Sequence, residues 1–175
     1  LEEERAAGFT TVSVRPSTVC GYAKRLRLDL VVNILTNHAI NNRKIRVTGG
    51  DQMRPNIHID DMVNLYLQLL GEAPERIDGQ IFNAGSENHT VLEIANIVQR
   101  CVGGDVPIEV VPTNYPRSYH CSSEKIKNHL GFEPKRSVEH AVRDLKAAFD
   151  AGRITDPLSN PLYFNIKRMQ ETHAQ

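Results

Sequence analysis

Neither sign of charge dominates this chain. Over 175 residues Lys plus Arg and Asp plus Glu each total 21, a formal net charge of zero at pH 7, so no overall field draws the protein to nucleic acid or an anionic membrane. Long apolar runs are missing too. The hydrophobic stretches are short and broken by charge, which excludes a membrane-spanning helix, and the acidic opening Glu2-Glu3-Glu4 is unlike a signal peptide. Cys20, Cys101 and Cys121 are odd in number and lack any Cys-x-x-Cys or Cys/His ligand spacing, which points to reduced thiols in a cytoplasmic protein. The histidines form no i, i+4 pair of the zinc-binding type, so no metal site is expected. No Ser/His/Asp or Cys/His arrangement is discernible by spacing.

What is present is ordinary globular composition, 40% hydrophobic and 24% charged, at a length that suits one domain with its own core. Leu1–Ala7 reads as the end of a helix closed by Gly8, with no Ser, Thr, Asp or Asn ahead of it to cap a start. A helix with an end and no beginning points to a truncated chain, a gene fragment or a proteolytic product. Phe9–Arg15 is rich in β-formers, and Pro16 is expected to end regular pairing. A mostly buried helix follows Asp29 and ends near Asn41-Asn42. Lys44–Thr48 alternates as a strand, and Ile57 and Ile59 mark another short extended segment. Asp60 is expected to cap a helix through Leu70 that Gly71 closes, and Gln80–Gly85 reads as a buried strand. Thr90-Val91-Leu92-Glu93 is a capping box, in which hydroxyl and carboxylate each satisfy an orphan backbone N–H, and it opens a helix to Val102. Ile108–Val111 is a strand, Ser122 or Ser123 to Leu130 a short helix, and Ser137–Phe149 a longer one. The remainder, with Pro157 and Pro161, is expected to be loop. Strands alternating with helices predict an α/β fold with parallel pairing.

Two runs carry a resemblance. Arg15-Pro16-Ser17-Thr18-Val19-Cys20-Gly21 and the later Gly49-Gly50-Asp51-Gln52-Met53-Arg54-Pro55-Asn56-Ile57-His58-Ile59-Asp60-Asp61 are similar to segments of the NAD-dependent nucleotide-sugar epimerases and dehydratases, members of the extended short-chain dehydrogenases. The likeness continues to Phe149. That family places a Gly-x-x-Gly-x-x-Gly cofactor loop near its N-terminus and a catalytic Tyr-x-x-x-Lys shortly before its Arg-Pro strand, and neither motif stands ahead of Arg15-Pro16 in this sequence. The resemblance implies an incomplete Rossmann-like parallel sheet, its last strands only, joined to a small substrate-binding lobe. Residues 1–21 would be the remnant helix and strand of the dinucleotide-binding domain and 22–152 the lobe. Within the lobe 79–86 returns to the sheet, and 153–175 is a C-terminal tail.

The same resemblance assigns roles. Arg54 would hold a diphosphate, since a guanidinium presents a planar fork to phosphate oxygens; read from spacing alone, it is equally a surface arginine paired with Asp51 or Asp60. Asn114-Tyr115-Pro116-Arg117-Ser118-Tyr119 is similar to the family's Asp-x-x-Arg-x-Tyr segment, which implies that Arg117 meets the same diphosphate and Tyr119 lies near sugar or nucleotide. Asn114 departs from the usual acidic residue, and Tyr119 also suits a packed core position. Asp29, Leu30 and Asn33 fall where the family's helix start approaches base and phosphate, and Asp29 also reads as a plain N-cap. Arg46 and Thr48 match positions flanking the base, and Thr18 a phosphate-binding position. Pro16 and Ser17 match the backbone that meets the nicotinamide, useful only if the absent half is supplied. His58 reads as facing solvent or paired with an aspartate, more than as a catalytic base.

The reading is therefore the nucleotide-sugar-binding portion of an NAD-dependent epimerase or dehydratase (an isomerase or a lyase). No catalytic residue is assigned, and neither activity nor binding of NAD(P) by the isolated chain is expected. Two alternatives are a non-enzymatic assembly protein dimerising through an exposed sheet and one half of a split enzyme. Val12, Val14, Ile81 and Phe82 are expected to lack cover, which would drive self-association or retention of a separate N-terminal half.

Overall fold

The computed structural model describes residues 8–114 and 117–173, the last two as backbone only. The helix expected over residues 1–7 lies outside the described residues, as do Tyr115 and Pro116. The elements run β1 (Val12–Pro16), β2 (Thr18–Cys20), α1 (Val31–Asn41), β3 (Ile45–Thr48), β4 (Met53–His58), α2 (Ile59–Gly71), α3 (Pro74–Ile77), β5 (Gln80–Ala84) and β6 (Glu87–Thr90). There follow α4 (Val91–Val102), β7 (Ile108–Val111), α5 (Glu124–Leu130), α6 (Val138–Asp150), a 3-10 turn at Pro161–Tyr163 and α7 (Asn165–His173). The fold is α/β with parallel sheet pieces.

Among the described residues the strands form three small sheets. β1 pairs in parallel with β5, from Val12 opposite Gln80 to Pro16 opposite Ala84. β4 pairs in parallel with β2 and antiparallel with β6, and β3 pairs in parallel with β7. Pro16 does not stop the ladder before itself: it is the last residue of β1, where its missing N–H costs nothing, and Ser17 N–H donates to Ala84 O at 2.7 Å. β1 begins at Val12 and not at Phe9, which is 66% exposed.

Two helix starts differ from the sequence expectation. Asp29 does not cap α1; the N-cap is Leu30, with no side-chain hydrogen bond, because the Asp29 carboxylate is occupied by Arg27. Asp60 does not cap α2 either. The extended residue before that helix is His58, whose Nδ1 accepts from the Asp60 N–H at 3.1 Å, leaving Asp60 and Asp61 in the first turn where the helix dipole favours anions. At α4 the capping box forms as expected, with Glu93 N–H donating to Thr90 Oγ1 at 3.1 Å and Thr90 N–H to Glu93 Oε2 at 2.7 Å.

Three clusters of buried side chains hold these layers together. One sits among α1, β3, α4 and α6 around Val32, Leu35, Ile45, Ile94, Val98 and Val142. A second joins β4, α2, β5 and α5 through Ile57, Leu65, Phe82 and Ile126, with Val12 and Val14 at its margin. Phe82, expected to lack cover, is fully buried, because α5 lies over it with the His129 ring tilted against it, centroids 5.5 Å apart. The third gathers Leu26, Leu28, Leu145, Ala148 and Ile154 with Tyr163 and Phe164. The segment after α6 is accordingly not loop alone: it carries the 3-10 turn and α7 and packs on residues 26 and 28.

Candidate nucleotide-sugar site

The chain breaks between β1 and β2 at Ser17, at the carboxyl ends of parallel strands, where α/β folds leave a crevice for ligands. A cavity of about 420 Å³ opens there, lined by Pro16, Ser17 and Thr18 and, across from them, by Arg25, Arg27, Leu30 and Asn33. The Ser17 hydroxyl is buried with no hydrogen-bond partner among the described residues. It is crowded against Gly85, where a Cβ would lie 2.5 Å from Ser17 Oγ and 3.1 Å from Cys121 Sγ, so only glycine fits at the end of β5. Asn33 is spent on structure: its Oδ1 accepts from Gly21 N–H at 3.1 Å and its Nδ2 donates to Arg27 O at 2.8 Å. Gly21 in turn holds φ +105°, with His58 3.1 Å from where its Cβ would be.

A second group forms where β4 begins. The Gln52 side chain staples the preceding turn, accepting from Gly50 N–H at 2.7 Å and donating to Thr48 O at 3.2 Å, which aims Met53 and Arg54 outward. The segment from Arg117 onward is drawn alongside by Met53 N–H donating to Ser118 Oγ at 2.9 Å. Asn88 grips it further on, giving Nδ2–H to Cys121 O at 3.1 Å and accepting Cys121 N–H at 2.9 Å. Arg54 Nη1 donates to Met53 O at 2.8 Å and Arg117 O at 2.6 Å. The guanidinium carbons of Arg54 and Arg117 lie 5.8 Å and 5.7 Å from the centroid of the Tyr119 ring, within cation–π range. Arg54 is held by carbonyls and not by Asp51 or Asp60; the latter is engaged by Arg136 at 3.1 Å.

The expected residues thus fall into three places. Pro16, Ser17, Thr18, Leu30 and Asn33 share the cavity, with Asp29 beside it, and Arg54, Arg117 and Tyr119 share the second group. Thr18 lies opposite Asn56 in the β2–β4 ladder, two residues beyond Arg54, about 7 Å along the strand. Arg46 and Thr48 stand on the exposed face of β3 in a different sheet. Arg25 and Arg27 were not singled out in the sequence. The period-two alternation Arg25-Leu26-Arg27-Leu28, leucines buried and arginines outward, was the available signal.

His58 is buried between β4 and α6. Its Nδ1 accepts the Asp60 N–H, which places the ring proton on Nε2, 3.1 Å from Asp144 Oδ2. With Asp60 and Asp144 it forms a trio whose ligand atoms lie within 4.8 Å of one another. Each of the three is already engaged, Asp60 by Arg136, so the group reads as a structural tie between sheet and helix. The three cysteines are free; burial, with the charge of Glu87 adding, pushes the Cys20 thiol up to about 12.

Known proteins share parts of this sequence and its fold. The model of the NAD dependent epimerase/dehydratase family matches residues 1–85. Over those residues the chain is similar to that family. Among curated proteins it is similar to UDP-glucose 4-epimerase of Halalkalibacterium halodurans, 34% identical over 102 residues that cover 53% of this chain and 30% of that one. UDP-D-apiose/UDP-D-xylose synthase 2 of Arabidopsis thaliana is 29% identical over 126 residues, 62% of this chain and 32% of the other. Two solved structures share the fold at a TM-score of 0.68. They are a Thermotoga maritima UDP-glucose 4-epimerase with UDP-glucose, 23% identical, and a Bacillus cereus UDP-glucuronic acid 4-epimerase with UDP-glucuronic acid and NAD, 20% identical. They cover 81% and 80% of this chain, and 46% and 45% of their own lengths are matched. The chain spans about a third of the length of the curated relatives it matches and just under half of these solved chains. Among the described residues no helix is long and apolar enough to cross a membrane.

Proposed function

We propose that this chain is the nucleotide-sugar-binding portion of an NAD-dependent epimerase or dehydratase, with Arg54 and Arg117 holding the diphosphate. The observation that carries this reading is the meeting of two guanidinium groups, 63 residues apart in sequence, over one tyrosine ring. A diphosphate needs more than one positive charge, and Arg54, held by neutral carbonyls, keeps its charge for a ligand. Tyr119, 43% exposed, offers a face for the sugar or base. Pro16 and Ser17 suit the nicotinamide end of NAD, the buried Ser17 hydroxyl being an unspent polar group at that spot. The pyrophosphate of the cofactor needs a glycine turn, and residues 1–175 hold no Gly-x-x-Gly-x-x-Gly run. Calorimetric titration with UDP-glucose tests the reading: Arg54→Ala and Arg117→Ala should each weaken binding by about 1.5–3 kcal/mol, roughly ten- to a hundredfold. Equal affinity in all three proteins would reassign both arginines to structure.

A second reading, assembly through an exposed face, is favoured by one feature. Val63, Tyr66, Leu67 and Leu70 of α2 are 46–85% exposed, beside a groove of about 700 Å³ formed with Val12 and Val14. Among the described residues β1 pairs with β5 alone, although parallel strands are ordinarily covered on both sides. The occupant we infer is a body that adds a parallel strand to β1 and an apolar helix to α2. Light scattering showing a monodisperse, cooperatively unfolding 19.7 kDa monomer would contradict it.

A further inference from the structure

Residues 21–30 wall one side of the cavity and have neither strand nor helix of their own. From within, they are shaped by the two Asn33 hydrogen bonds to Gly21 and Arg27. From outside, the segment after α6 lies across them. Leu28 N–H donates to Tyr163 O at 2.9 Å, Arg25 Nη1 to Leu162 O at 2.8 Å, and Arg25 Nη2 to Asn165 Oδ1 at 2.9 Å. Leu26 and Leu28 owe their burial to Leu145, Ala148 and Ile154, with Tyr163 and Phe164 packed on the same cluster. The segment is itself moored at its start: Arg153 N–H donates to Ala148 O at 3.0 Å, the Arg153 guanidinium lies 4.9 Å from the Tyr22 ring centroid, and Pro157 O accepts from Asn37 Nδ2 at 2.9 Å.

The two sides meet at one carboxylate. Asp29 Oδ1 accepts from Arg27 Nε at 2.9 Å, and Oδ2 accepts both from Arg27 Nη2 at 3.1 Å and from the Asn165 N–H at 3.1 Å. Arg27 lines the cavity; Asn165 opens α7. We propose that residues 153–165 are a strap that sets the wall of the cavity, and that Asp29 is the positioning residue through which the strap fixes the Arg27 guanidinium at the cavity wall. A bidentate arginine–carboxylate pair is rigid in a way that a single contact is not, so Arg27 is presented in one orientation only while the strap is seated. The assignment to a nucleotide sugar as the cavity's ligand rests on the function proposed above; the strap itself does not.

Hydrogen exchange on the whole chain separates the two. In Asp29→Ala, amides of residues 21–30 and 160–168 should lose protection together, by about tenfold or more for the loss of charge-assisted bonds, while residues 91–102 keep theirs. Asp29→Glu should restore part of both. Should Asp29→Ala fail to fold, Asp29→Asn, which keeps an acceptor but drops the charge that strengthens both bonds, should loosen the same two segments to a smaller extent. Loosening of 21–30 alone, with 160–168 unchanged, would overturn the strap. UDP-glucose titration adds the functional arm: weaker binding to Asp29→Ala than to wild type supports the positioning role. Equal binding to both overturns that role while the nucleotide-sugar reading stands. Binding to neither removes that reading, and exchange alone then decides the strap.

Discussion

Arg27 and Arg54 are the same residue type in opposite states. Arg27, half-buried, is neutralised through one edge of its guanidinium, Nε and Nη2, on Asp29, and that carboxylate also receives the strap. Arg54 is held in place by carbonyl oxygens beside Arg117 and Tyr119. An arginine tied to a carboxylate is part of the scaffold, and one pinned by neutral acceptors next to a second cation keeps its charge for something else. The difference is set by the neighbours that folding supplies and not by the local sequence.

The comparison can be broken first at the scaffold. Leu28→Ala removes a fully buried side chain from the cluster that seats the strap and should cost about 2–5 kcal/mol in urea unfolding, whereas Arg54→Ala should cost under about 1 kcal/mol. Equal losses would make Arg54 as much a part of the scaffold as the cluster that seats the strap. At intermediate size, raising salt should weaken UDP-glucose binding at Arg54 and Arg117 while leaving the bidentate Arg27–Asp29 pair and its exchange protection largely intact. Acid gives a smaller effect. Burial pushes the Asp29 carboxyl up, but the Arg27 and Asn165 hydrogen bonds and the Arg27 charge outweigh it and hold it below its ordinary 3.8. The folded form therefore binds that proton less tightly than the unfolded chain. Its stabilisation is complete above 3.8 and fades as the pH falls below it, and Asp29→Asn should flatten this part of the unfolding curve. Smallest, native protein treated with iodoacetamide at neutral pH should label half-buried Cys121 well before Cys20, and comparable rates would show that the first core cluster opens.

Much of the framework was readable in the sequence. The α4 capping box, the glycine ending α5, the β5 run Gln80–Ala84 and the helix before Gly152 each follow from a local rule that tertiary context did not override. The misses share a cause. β2 is three residues long and β6 is all polar, so neither has a period to detect, and both exist because β4 offers them a ladder. α7 has an almost wholly exposed surface and is anchored at its start by Asp29, 136 residues away. The caps at Leu30 and His58 displaced Asp29 and Asp60 for a similar reason: both carboxylates had partners distant in the fold or already committed. Arg54, Arg117 and Tyr119 were named through resemblance, and the structure brings them together. The role of Arg27 was not legible, since nothing in Arg25-Leu26-Arg27-Leu28-Asp29 announces a strap.

The central claim is that Arg54 and Arg117 act on one diphosphate. Its most direct test is the ratio of UDP to uridine affinity, measured calorimetrically in wild type, both single variants and the double variant. A shared diphosphate predicts that wild type prefers UDP strongly, that each single change removes much of the preference, and that the two losses are not additive. A UDP-to-uridine ratio near one in the wild type, or a ratio unchanged in the double variant, would contradict it.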